Sequence, residues 1–296
     1  MKKPFSGIVL ALLLTSMLML TFNIPPTKAS GTIYIRADGS IDPPTANITR
    51  NGDLYTLTND TYDSIVIERN NMTLDGAGYK VKGTETTGSI GISLSGKSNV
   101  TIKNIEIESF LYGISLSDSS SHNNIIGSNI TANTWYGIYV EYSSNNSIVG
   151  NSVAHNGEGI KLFAISSNNS IVGNNITANS NYGITIRASS NNMLRNNNMT
   201  GNSFNFFVDG GSLSEFIHDV DASNTVDGKP IYYWINETDR TIPFDASYVA
   251  LINCTHITVQ NLQLSKNGQG ALLAYTTNSI IAKNNITTNY IGIGLK

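Results

Sequence analysis

The sequence predicts an all-β protein: a single-stranded, right-handed parallel β-helix, a solenoid of about 22–24-residue turns with one insertion. Three observations predict it. First, the stretches Asn145–Ser167, Asn168–Ser190 and Asn191–Ser212 repeat one another, and two weaker copies, Asn99–Ser121 and His122–Ser144, precede them. Second, four of the five copies carry Gly-Ile-x-Leu or a close variant in their second half, beginning at Gly113, Gly137, Gly159 and Gly183, with spacings of 24, 22 and 24 residues. The alternation of apolar and polar residues in these tetrads has strand period, and no sustained helical period follows residue 30. Third, Asn133, Asn156, Asn179 and Asn202 recur at equivalent positions. Stacked Asn amides satisfy one another from turn to turn, so one internal Asn ladder is expected at a corner. A propeller blade is nearly twice this repeat length, and a leucine-rich repeat carries Leu-x-x-Leu-x-Leu before its Asn.

Taken in order, residues 1–29 read as a signal peptide. Lys2 and Lys3 precede an apolar run from Ile8 to Phe22, Pro25 and Pro26 end it, and Thr27-Lys28-Ala29 offers a cleavage site. The run is short for a membrane span, and a retained anchor is the alternative. Either way the body is expected outside the cytoplasm: extracellular, periplasmic or on the cell surface. Twelve Asn-x-Ser/Thr sequons fit that address (Asn47, Asn59, Asn71, Asn99, Asn129, Asn145, Asn168, Asn175, Asn198, Asn236, Asn253, Asn285). The repeat itself generates such triplets, and several of these Asn are expected to face the coil interior, where no glycan fits. A net charge of −3 does not suggest nucleic acid as a partner, and Cys254, the single cysteine, excludes an intrachain disulfide. The mature body is expected to be a monomer without a membrane span.

Residues 30–98 read as the N-terminal cap and first turns. Strands are expected at Gly31–Ile35, Tyr55–Thr58 and Ser64–Ile67; the stretches Asn71–Gly78 and Tyr79–Val81 follow, and Gly91–Leu94 starts the regular tetrads. An irregular first turn is expected there, because an open β-helix end must be shielded from edge pairing. Residues 99–212 form the regular repeats. Residues 213–254 break the period: Asn205 occupies a tetrad-Gly slot, the next clear one is Gly270, and an insertion replaces about two turns. Strands are expected within it at Ile231–Ile235 and Tyr248–Ile252. Residues 255–296 resume the coil and stop inside a turn, so the chain is expected to be truncated or to continue.

Asn71-Met-Thr-Leu-Asp-Gly-Ala-Gly78 resembles the N-x-T-L-D-G-x-G stretch of the NosD-like right-handed β-helix proteins. The repeats match as well, as do His218-Asp219-Val220-Asp221 and Asn224 to Trp234 in the interruption, so the resemblance covers nearly all of residues 31–296. It implies an exported β-helix, grouped with carbohydrate-binding and sugar-hydrolase relatives and named for a periplasmic accessory protein of copper-enzyme maturation. Copper wants clustered Cys, Met or His. Here His122, His155, His218 and His256 are scattered, and Met72, Met193 and Met199 are single, so no copper site and no resident cofactor is expected, with calcium left open.

Function is sought on the outward tetrad positions. One column reads Ser115, Tyr139, Lys161, Thr185, Phe207; the next reads Ser117, Glu141, Phe163, Arg187, Asp209. The candidate glycan-binding face is Tyr139, Glu141, Lys161, Phe163, Arg187, Phe207 and Asp209, aromatics for sugar C–H faces among charges for hydroxyls. The plainer reading pairs Arg187 with Asp209 and Glu141 with Lys161 as surface ion pairs contributing about 0–1 kcal/mol each. A second candidate is His218, Asp219 and Asp221, an Asp-His grouping able to act as base or calcium ligand, or simply a structural turn. The expected function is an exported structural or glycan-binding module whose partner is a polysaccharide or surface glycan. The alternative is a polysaccharide lyase, epimerase or glycosidase acting on uronate-type polymers. No paired-Asp set of the hydrolase kind is visible.

Overall fold

In Gly-Ile-x-Leu both the Gly and the Ile face inward, because the Gly has no side chain to place. A Cβ on Gly137 would lie 2.6 Å from Val153 Cγ1 and 2.7 Å from the Gly159 carbonyl. Stacking then follows turn by turn. A computed structural model describes residues 31–84 and 89–296; the signal peptide expected at residues 1–29 lies outside them. The chain is a parallel β-helix with three strands per turn, building sheets of nine, eleven and nine strands.

The tetrad strands Tyr112–Ser117, Tyr136–Glu141, Glu158–Phe163, Tyr182–Arg187 and Phe204–Asp209 are consecutive members of one sheet. Their register aligns Ile114, Ile138, Ile160, Ile184 and Phe206, each 0% exposed. Each buried Ile contributes roughly 1.5–3 kcal/mol of hydrophobic stabilisation.

The corners are held by more Asn than the repeat first suggests. Asn133, Asn156, Asn179 and Asn202 stack as expected: each Oδ1 accepts the backbone N–H of the residue one turn earlier, at 2.9–3.1 Å. Two further ladders run beside this one, Asn123–Asn146–Asn169–Asn192 and Ser128–Asn151–Asn174–Asn197–Asn224. These take one Asn of each Asn-Asn pair inside and leave the other outside: the second at Asn145-Asn146, Asn168-Asn169 and Asn191-Asn192, the first at Asn174-Asn175. The sequon Asn residues are consequently not interior: eleven of the twelve are exposed and Asn47 is half-buried. The expectation of interior sequons fails because strand-start and left-handed corner positions point outward, while the ladder claims the neighbouring Asn.

At the N-terminal end, antiparallel strands Ile41–Asp42 and Ile48–Asn51 lie against the edges of two sheets, and the Tyr55 hydroxyl donates to the Gly39 carbonyl at 2.8 Å. At the other end the coil changes track. Val226 and Lys229 close a tight hairpin, so the strand Lys229–Ile235 runs antiparallel to Thr225–Val226. The resumed tetrad strands Tyr248–Ile252, Gln269–Ala274 and Ile291–Leu295 therefore extend a different sheet from the first five. They enclose a second core around Val249, Leu251, Ile257 and Leu264. The insertion is thus a change of track rather than two missing turns. Residues 266–269 of the second coil lie on the free edge of the last tetrad strand: Asn205 N–H donates to Lys266 O, Gly268 N–H to Phe206 O, and Gln269 Nε2 to Val208 O.

Candidate functional site

The two outward columns read from the tetrads form in register. Tyr139, Lys161, Thr185 and Phe207 stand side by side on successive turns, as do Glu141, Phe163, Arg187 and Asp209. A third column, one residue before each tetrad Gly, was not read from the sequence: Tyr112, Tyr136, Glu158, Tyr182 and Phe204. Tyr112 pairs in register with Tyr136, and Tyr136 with Glu158. Its signal was the aromatic opening the tetrad strand in four of five repeats, before Gly-Ile at Tyr112, Tyr136 and Tyr182 and before Asn205 at Phe204, with Glu158 as the exception.

Together these columns make an aromatic face with a charged gap. Tyr136 stacks on Tyr139 at 4.8 Å, and Tyr112 sits against Tyr136, Tyr139 and Trp135 at 5.3–5.6 Å. Three turns further on, Tyr182 packs against Phe204 and Phe207. Between the two groups lies an open cleft of about 430 Å³ lined by Thr134, Trp135, Tyr136, Gly157, Glu158, Ser180 and Asn181. Gly157 is required there: a Cβ would fall 2.4 Å from the Trp135 carbonyl. Trp135 is 50% exposed, a large ring left open at the cleft wall, and Glu158 is 9% exposed.

Lys161 is also largely buried. Its Nζ lies 3.4 Å from Glu158 Oε1 and donates to the Tyr136 hydroxyl at 3.1 Å. The expected Glu141–Lys161 pair does not form, because Lys161 turns to the carboxylate three residues earlier on its own strand. Burial, reinforced by the Glu141 carboxylate, raises the Tyr139 hydroxyl above its ordinary value. Burial and the neighbouring Tyr290 push Tyr182 up to about 12, so both hydroxyls are neutral donors across the physiological range.

Tyr139, Glu141, Phe163 and Arg187 are half-buried on this face. Arg187 Nη2 lies 3.7 Å from Asp209, as the pairing reading expected, and Asp209 also meets Lys296 Nζ at 2.8 Å. Phe207 does not belong to the open surface. It is 2% exposed, because the second coil places Gly268 on its ring, and it offers no face for a sugar.

His218, Asp219 and Asp221 do not converge. His218 is 1% exposed and continues an internal ladder, accepting the Asn192 N–H on Nδ1 at 3.3 Å. Burial pushes its imidazole down to about 4. Asp219 and Asp221 point outward onto Arg195, at 2.5 and 3.0 Å. Strand alternation separates them: Asp219 and Asp221 flank the buried Val220. Among the described residues no three of His, Cys, Asp or Glu gather as a metal-holding group. His122, His155 and His256 are exposed and far apart in sequence, while Met72, Met199 and Cys254 are buried among apolar side chains. This donor set does not fit copper.

Residues 45–234, well over half of the chain, match the family model described as "NosD: Periplasmic copper-binding protein (NosD)", and the chain belongs to that family. Among curated proteins none matches this sequence. Solved structures similar to the chain include a pectate lyase, Pel9A, at 14% identity and a TM-score of 0.45, covering 88% of this chain and 69% of that one. The periplasmic alginate epimerase AlgG is similar at 18% identity and a TM-score of 0.41, over 79% of this chain, which spans 51% of the epimerase. The Dettilon tailspike protein gp208 is similar at 15% identity and a TM-score of 0.42, over 90% of this chain and 60% of that one. No helix among the described residues is long and apolar enough to cross a membrane.

Proposed function

We propose that this NosD-family chain is an exported β-helix module that binds a polysaccharide or surface glycan on its tetrad face without cleaving it. The observation that carries the reading is the cleft beside Trp135. It presents an exposed aromatic ring, a second ring at Tyr136, and the polar side chains of Ser180 and Asn181 across from them. Sugar rings have apolar C–H faces and a rim of hydroxyls, and a wall of aromatics facing a wall of amides and hydroxyls complements both. The rings are braced by their neighbours and pre-organised, which reduces the ordering cost of binding. Binding is favoured over cleavage because glycoside hydrolysis uses two carboxylates across the scissile bond, and the cleft lining holds one, Glu158. The family's copper name is not carried to this chain, for want of a fitting donor set.

The test is a panel of soluble polysaccharides run in affinity electrophoresis against the wild-type chain and Trp135→Ala. Retardation by at least one polymer, lost in the variant, supports the reading. Retardation equal in both proteins removes the cleft. New ultraviolet absorbance from unsaturated chain ends on uronate polymers, or new reducing ends on any polymer, overturns the non-catalytic reading in favour of a lyase or glycosidase.

A further inference from the structure

The column that carries Tyr112, Tyr136, Tyr182 and Phe204 is aromatic at every described tetrad of the regular repeats except one, where it carries Glu158. That carboxylate is nine-tenths buried yet lines the cleft. One oxygen, Oε1, faces Lys161 Nζ at 3.4 Å. The other, Oε2, is buried with no hydrogen-bond partner in the protein. A buried carboxylate oxygen left without a donor is costly and uncommon in folded proteins, and it calls for a donor from outside the chain. Resting on the glycan reading above, we infer that Glu158 is the specificity-determining residue of the cleft, and that its ligand is a neutral, hydroxyl-rich glycan rather than a uronate polymer.

The chemistry is a matter of donors and sign. An ionised carboxylate only accepts hydrogen bonds, so Glu158 selects a group that donates, and every sugar hydroxyl does; Oε2, closed off in the free chain, takes that bond when the side chain turns into the cleft. Hydrogen bonds to a charged acceptor are roughly twice as strong as neutral ones, and a vicinal diol on a ring stacked at Trp135 can supply one or two. A uronate would bring a second carboxylate to a partly desolvated one, where repulsion is poorly screened. It would also find no free cation: Lys161 already faces Glu158, and Arg187 and Lys296 already face Asp209. Glu158 is thereby poised to discriminate, and Trp135 to supply most of the affinity.

The experiment is calorimetric titration of the wild-type chain, Glu158→Gln and Trp135→Ala with mixed-linkage β-glucan, galactomannan and dextran as neutral probes and alginate and polygalacturonate as charged ones. The expected result is binding of at least one neutral polymer and none of the uronates. Glu158→Gln, which keeps the shape but weakens the acceptor, is expected to lose about tenfold in affinity for the neutral ligand. Binding of uronates by the wild type in preference to neutral polymers, lost in Trp135→Ala, overturns the inference and leaves the glycan reading standing. No binding of any polymer overturns the glycan reading, and this inference with it. Neutral binding unchanged in Glu158→Gln also overturns the assignment of Glu158. The wild-type preference does not depend on a variant folding, and thermal melting of Glu158→Gln shows whether its loss is local.

Discussion

Asn174→Ala, compared with Asn175→Ala, probes the corner ladders at adjacent residues of identical type. Asn174 is 1% exposed in the middle of a ladder. Its Oδ1 accepts the Asn151 N–H at 2.9 Å and Asn151 Nδ2 at 3.0 Å, and its own Nδ2 donates to the Ile148 carbonyl at 2.9 Å and to Asn197 Oδ1 at 3.0 Å. Truncation orphans the buried Asn151 N–H outright, at about 1–3 kcal/mol, and removes one partner each from Asn151 Nδ2, Ile148 O and Asn197 Oδ1. Asn151 Nδ2 keeps the Ile125 carbonyl and Asn197 Oδ1 keeps the Asn174 N–H, so these losses are partial. The expected destabilisation is about 3 kcal/mol. Asn175 is exposed, and its replacement is expected within about 0.5 kcal/mol of wild type. Urea unfolding followed by circular dichroism reads both, with equal slopes required before midpoints are compared, since solenoids can unfold in stages. Equal midpoints for the two variants would refute the claim that the ladder holds the corner.

Three further outcomes follow from the same geometry. Because His218 is held neutral with its imidazole at about 4 while an unfolded His titrates near 6.5, the unfolded chain binds the extra proton. Stability is therefore fully present above about pH 6.5, falls by up to roughly 3 kcal/mol as pH drops toward 4, and is flat with respect to this group below that. His218→Asn, which supplies a ladder residue without the titration, is expected to flatten the slope in urea melts between pH 7 and 4.5; an unchanged slope sinks the assignment. Gly137→Ala drives a methyl to 2.6 Å from Val153 Cγ1 and is expected to cost about 3 kcal/mol, against about 1 for Gly150→Ala, which meets nothing within 4 Å but has φ +63°. Differential scanning calorimetry checks the order, and Gly150→Ala melting lower would contradict it. Tyr290→Ala removes the edge-on partner of Tyr182, Phe204 and Phe207, lies outside the Trp135 cleft, and is expected to lower the melting temperature by a few degrees without altering glycan retardation.

The coil was legible because its signals are local and repeated. Ile114, Ile138, Ile160 and Ile184 recur with the tetrad, and a column of like residues at the turn period has one economical explanation, stacking. The Asn133 ladder followed for the same reason. The two other ladders hid in the Asn-Asn pairs, where identical residues face opposite ways and only the corner backbone decides which goes in. The aromatic column holding Glu158 was missed because alternation was counted from the Gly, and the Gly and Ile are both inward, so the residue before the Gly is outward too. The burial of Phe207 was beyond any local reading, since it is covered by Gly268, brought there by the hairpin at Val226–Lys229 that moves the chain to another sheet. His218 and its acidic neighbours were adjacent in sequence, and strand alternation sent them to opposite sides of the wall.

The most direct test of the account is the tryptophan fluorescence of the full chain titrated with the neutral polysaccharide that binds it best. The chain has two tryptophans, Trp135 at the cleft and Trp234 on the second coil. A saturable spectral change that survives Trp234→Phe and vanishes in Trp135→Phe is predicted. A change that follows Trp234 instead, or ligand binding that leaves Trp135 emission untouched, would contradict it.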